Sequence, residues 1–243
     1  ERLIEEREAL KEEAKASIEE LIEKYCLDID CHVANAPRND EHIWLIYVGS
    51  TATGVSSIQG NVISNWEING PATLGGALRI IAATNASHVD IGTEKGNIIG
   101  SASRVNDIVC TNINSIEAIG SGGTNSVVNV KNNTISGITM GFTSTPSYAS
   151  FTGINIGYGL TTIENNTIGS ETLPYSIYAS SNALATVQNV TGINCSSLAV
   201  GTKLIKNNTI ANLVNASSNA ATPGTNGNGY GYETKPSTVL YLT

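Results

Sequence analysis

Acid–base work or calcium binding calls for clustered carboxylates, and an anionic substrate calls for a basic side chain beside them. From Ile43 onward the acids are Glu67, Asp90, Glu94, Asp107, Glu117, Glu164, Glu171 and Glu233, and no close pair among them matches a motif of that kind. Arg79, Asp90, Lys95, Arg104 and Asp107 gather on one face only if distant segments stack; otherwise they are surface ion pairs. His88 is the one histidine after residue 43, so no Ser-His-Asp relay can be argued around it. Gly120-Ser121-Gly122-Gly123 superficially resembles a phosphate loop. Val127-Val128 after it reads as strand, however, and no helix N-terminus follows to hold a phosphate. No catalytic residue and no cofactor are expected.

Four cysteines allow three pairings. Cys26 and Cys31 are close enough to close a small disulfide loop, whereas Cys26, Cys31, His32 and His42 fit no standard zinc spacing, so no metal site is expected. Tyrosine supplies the one positive sign of a ligand. Seven of nine lie from Tyr148 onward, and aromatic rings on a polar surface stack on sugar faces while the phenol hydrogen-bonds. Tyr148, Tyr158, Tyr175 and Tyr178 are the candidate ligand-binding residues, for a surface glycan or polysaccharide. The competing account has these rings covering the edges of loop insertions.

The elements that must position these residues are of two kinds. Residues 1–25 hold 14 of the 34 charged residues, nine of them Glu, while residues 43–243 hold only 15. In the first segment Leu3, Leu10, Ala14, Ile18, Leu21 and Tyr25 recur at helical steps among good helix formers. An amphipathic helix about 37 Å long is expected, either covering one end of the next domain, forming a coiled-coil neck, or standing as an engineered appendage. Residues 26–42 read as a connector broken at Pro37. The net charge of −8 argues against a nucleic-acid surface. The longest apolar run, Ile43 to Val48, falls far short of the roughly 18 residues of a helical span, so no membrane insertion is expected.

Residues 43–243 repeat. Lys131-Asn132-Asn133-Thr134-Ile135, Glu164-Asn165-Asn166-Thr167-Ile168 and Lys206-Asn207-Asn208-Thr209-Ile210 are the clean copies, with degenerate ones at Gly60-Asn61-Val62-Ile63 and Gly96-Asn97-Ile98-Ile99. Most follow a short β-favouring segment, and a second element recurs as Phe151–Ile156 and Val190–Cys195, which puts Cys195 in the slot of Ile156 as a small buried hydrophobe. About three short strands per repeat are expected. Variable spacing in the 20–50 residue range marks a repeat architecture with insertions confined to loops. Asparagine tolerates left-handed backbone and turns the chain, and identical turns stacked at roughly 4.8 Å exchange amide hydrogen bonds. An internal ladder at Asn61, Asn97, Asn132, Asn165 and Asn207 is expected, with Thr outward and Ile inward after it.

These turns, with the Thr-Gly-Ile strands and Ser/Thr/Gly/Asn loops, resemble right-handed parallel β-helix repeats of the pectate-lyase-like kind, and more closely the repetitive β-helix proteins that Bacteroidetes-type bacteria secrete to the cell surface. The likeness covers roughly residues 55–243. It implies an all-β, right-handed parallel β-helix capped by the N-terminal helix, secreted or held at a bacterial surface. A non-catalytic stalk or adhesion module follows; the alternatives are a polysaccharide lyase or glycoside hydrolase of β-helix type, and an engineered solenoid scaffold with a designed cap.

Overall fold

The computed structural model describes residues 42–49, 54–69, 76–84, 87–122, 127–141, 149–181, 188–195, 203–217, 228–234 and 240–241. The expected helix at residues 1–25, the connector up to residue 41, the Cys26–Cys31 bridge and Tyr148 lie outside them.

Every fourth strand stacks in parallel on the one before. The first sheet takes β1 (His42–Gly49), β5 (Gly76–Thr84), β9 (Ile113–Gly122), β13 (Ser150–Ile156), β17 (Asn189–Cys195) and β21 (Asn228–Thr234) in that order. Beside it runs a second sheet of β2 (Val55–Ile58), β6 (His88–Ile91), β10 (Val127–Lys131), β14 (Leu160–Glu164), β18 (Lys203–Lys206) and β22 (Leu240–Tyr241). The third holds β3 (Val62–Ile63), β7 (Ile98–Gly100), β11 (Thr134–Ser136), β15 (Thr167–Gly169) and β19 (Thr209–Ala211). The fourth holds β4 (Trp66–Asn69), β8 (Ile108–Thr111), β12 (Ile138–Gly141), β16 (Ile177–Ser181) and β20 (Leu213–Ser217). The described residues thus form an all-β parallel solenoid. Its coils contain four strands rather than three. The third and fourth strands are separated by a single residue at Gly137 and at Asn212, which in sequence reads as one continuous strand.

Register makes the core. Leu78, Ile116, Phe151 and Val190 align across the first sheet, as do Ile81, Ile119, Ile154 and Ile193, and all are buried. Ile99, Ile135 and Ile168 form the inner column of the third sheet with Thr134 and Thr167 facing out, as the β-branched pair predicts. Each such isoleucine contributes on the order of 1.5–3 kcal/mol by leaving water. Cys195 does pair with Ile156 and is buried.

The ladder is present: Asn61 and Asn97 are rungs as expected, whereas in the three Asn-Asn copies the rung is the second asparagine and not the first. Its rungs are Asn61, Asn97, Asn133, Asn166 and Asn208, each of the first four donating its side-chain amide to the next rung's Oδ1 at 2.8–2.9 Å. The backbone N–H of the same residue donates to that oxygen as well. Asn132, Asn165 and Asn207 instead sit on the outside, exposed, with φ of 59°, 57° and 54°. They are the corner that turns the chain, a backbone conformation that asparagine accepts and most residues resist. In a turn of two asparagines one must take the left-handed corner. The next then points inward, so both roles cannot fall on one residue.

Candidate functional site

Two loops between the third and fourth sheets frame an open cleft. Where most coils cross this corner in one or two residues, residues 101–107 and residues 170–176 take seven each, on coils separated by the one-residue crossing at Gly137. Both long loops leave their strands at a left-handed glycine. Gly169 has φ +82° and a Cβ there would lie 1.7 Å from the Ala211 carbonyl oxygen; Gly100 is alike, with φ +75° and the Ser136 oxygen 1.8 Å away. The short crossings carry Ser136 and Ala211 at the matching positions.

The loops are braced. Ser170 Oγ donates to the Ala102 carbonyl at 3.3 Å, joining the two, and the Ser170 N–H donates to Ser176 Oγ at 2.9 Å. From the following coil the Asn212 amide donates to the Ser170 carbonyl at 2.7 Å. This bracing holds Tyr175 at φ 56°, the one non-asparagine, non-glycine residue with positive φ among the described residues. Backbone held in that region costs on the order of 1–3 kcal/mol and persists only where its surroundings over-determine it.

Beyond the junction lies a cleft of about 470 Å³ lined by Val105, Asn106, Thr139, Tyr175 and Tyr178. Tyr178 stands beside Thr139 on the outer face of the fourth sheet. The Tyr175 and Tyr178 rings meet edge to face, centroids 6.0 Å apart at 73°, and Tyr175 is 59% exposed. Thr139 Oγ1 donates to Asn106 Oδ1 at 2.6 Å, and the Asn106 side-chain nitrogen carries two hydrogens of its own to donate. The cleft's five lining residues carry no carboxylate, ammonium or guanidinium group.

Of the four tyrosines singled out by sequence, Tyr175 and Tyr178 come together. Tyr158 stands apart in the turn between β13 and β14, 45% exposed. Tyr178 is on a strand, not in a loop. Asn106 and Thr139 complete the cleft and carried no sequence signal, since only stacking brings residues so far apart in the chain to one place.

The five charged candidates do not converge. Arg79 pairs with Glu117 at 3.1 Å on the first sheet, Asp90 pairs with His88 at 2.9 Å on the second, and Arg104 bonds the fully buried Asp107 carboxylate within its own loop. Lys95 packs its stem against Gly60. His88 is not solitary: it shares the outer face of β6 with Asp90, a pairing that the two-residue spacing on a strand would have revealed. Glu164 lies between Lys131 and Lys206 in register, bonded to them at 3.2 and 2.9 Å. The hydrogen bond from Lys206, joined by that from Lys131, holds the Glu164 carboxyl below its ordinary range. Burial pushes the Cys110 thiol up to about 12 and that of Cys195 to about 11.

No protein-family model matches the chain, and neither does any curated protein or solved structure.

Proposed function

We propose that this chain is a non-catalytic, extracellular solenoid module, a stalk or adhesion segment of a bacterial surface, which holds a neutral saccharide unit at the Tyr175–Tyr178 cleft. The observation that carries it is the exposed Tyr175 ring, set against Tyr178 on a braced and strained loop beside the Asn106 amide. The C–H face of a pyranose stacks on such a ring, and its hydroxyls find the Asn106 amide, Thr139 Oγ1 and the phenols. The paired strands and the asparagine ladder support the stalk role, because every coil is tied to its neighbours by hydrogen bonds along its length.

A glycan array probed with the purified chain, with soluble products assayed from each bound spot, tests the proposal. Retention without products, lost in Tyr175→Ala and weakened in Tyr178→Ala, is expected. Release of cleaved sugar would replace the adhesive role by an enzymatic one. Retention unchanged in both variants would remove the cleft from the binding surface, and no retention at all would leave a spacer.

A further inference from the structure

The polar half of the cleft rests on one amide. Asn106 stands exposed at φ 54° in the first of the two long loops, and Thr139, on β12 of the next coil, anchors its side chain through the bond from Oγ1 to Oδ1. The Asn106 amide makes no other hydrogen bond among the described residues. A carbonyl oxygen has two lone pairs and an amide nitrogen two hydrogens, so Oδ1 keeps one place to accept and Nδ2 two to donate. The two atoms lie about 2.2 Å apart in one rigid plane. Half a turn of the amide preserves this: Nδ2 then donates to Thr139 Oγ1, and the group still offers an acceptor and a donor.

Such a group is matched by two neighbouring hydroxyls. One donates to Oδ1 while the next accepts from Nδ2, and the two bonds run side by side. Gauche hydroxyls on adjacent ring carbons have that spacing, whereas trans-diaxial ones diverge. An acetamido group does not match, because a trans amide points its N–H and C=O in opposite directions and engages one atom only. The apolar half of the cleft orients the sugar. Val105 is 41% and Tyr175 59% exposed, and both line it; a ring seated with its C–H face on Tyr175 turns its hydroxyl-bearing rim to Asn106.

We propose that the cleft selects pyranosides with a free vicinal diol, which Asn106 reads through a pair of hydrogen bonds while Thr139 positions its amide. This rests on the saccharide reading of the cleft and names the part of the sugar that is recognised. A site that hydrogen-bonds a hydroxyl discriminates against the analogue lacking it by leaving its own polar groups unpaired. In an open cleft water takes the vacant place, which makes the preference several-fold and not several orders of magnitude.

Methyl α-mannopyranoside, methyl α-glucopyranoside and methyl β-galactopyranoside, each beside its 3-deoxy derivative, are titrated into the full chain and followed by the NMR shifts of the tyrosine ring protons. Loss of O3 removes both vicinal pairs, O2–O3 and O3–O4, and leaves the rest of the ring. At least one parent sugar should bind at millimolar concentration, and its 3-deoxy derivative several-fold more weakly. In Asn106→Leu the two affinities should become equal, and in Thr139→Val their ratio should shrink, in variants whose strand signal by circular dichroism is unchanged. Tyr175→Ala should bind neither sugar. Equal affinities in the parent chain, or a preference that survives Asn106→Leu, would overturn diol recognition and leave the saccharide reading standing. No shift with any pyranoside, or binding undiminished in Tyr175→Ala, would overturn both.

Discussion

Asn133 gives both of its amide functions to one atom: its side chain donates to Asn166 Oδ1 at 2.9 Å and its backbone N–H to the same oxygen at 3.0 Å. Its own Oδ1 receives the identical pair from Asn97. The rung is fully buried. Asn133→Ala therefore strands two donors of Asn97 away from water, while Asn166 Oδ1 keeps only the backbone N–H of residue 133, and a loss of about 2–4 kcal/mol is expected. Urea denaturation of the variant measures it; a loss within a few tenths would mean that the ladder is incidental to stability.

One residue earlier the expectation reverses. Asn132 is exposed at φ 59°, so Asn132→Gly should be nearly neutral while Asn132→Val should cost about 1–2 kcal/mol from left-handed backbone strain. The order of the two midpoints is the test.

Gly169 opens the loop that carries Tyr175, and a methyl group there meets the Ala211 carbonyl oxygen. Gly169→Ala should destabilise the solenoid by about 1–3 kcal/mol and weaken saccharide retention together with it. Retention that persists alongside a lowered melting temperature would separate the loop's conformation from binding.

The Glu164 carboxyl is held below its ordinary value by Lys206 and Lys131. A group whose pKa is lower folded than unfolded stabilises the fold above its unfolded pKa and ceases to do so as pH falls through the folded value. The stability gap between parent and Glu164→Gln should be full at neutral pH, at about 1 kcal/mol or less for a partly solvated pair. It should shrink below the ordinary value of 4.5 and close in stronger acid. A gap that widens on acidification would contradict the assignment.

Cys110 and Cys195 are buried and their thiols are raised to about 12 and about 11. Since the thiolate is the reactive form, neither should take up iodoacetamide near pH 8 until the chain is denatured. Peptide mapping after native and denatured labelling reads this directly, and native labelling at the rate of a free thiol would show the core to be open there.

The Asn-Asn-Thr-Ile copies and their spacing were enough to derive strand-based repetition, inward isoleucines and stacked turns, because turn chemistry and the alternation of β-branched residues are local properties of the chain. The turn copies place the rungs on Asn132, Asn165 and Asn207, whereas the fold seats them on Asn133, Asn166 and Asn208. A shift of one residue exchanges inside for outside, and which asparagine takes the corner depends on the coil above and below. Lys203 is a parallel case: Ile205 occupies the inner column with Ile163, so Lys203, two residues before it, is carried into the core as well. The aligned copies already put Lys131, Glu164 and Lys206 in one slot, whereas the meeting of Asn129 with the His88–Asp90 pair and of Asn106 with Tyr175 was decided by tertiary structure alone. Each joins side chains from different coils, tens of residues apart in sequence, and only the register of parallel strands brings them within a few ångströms.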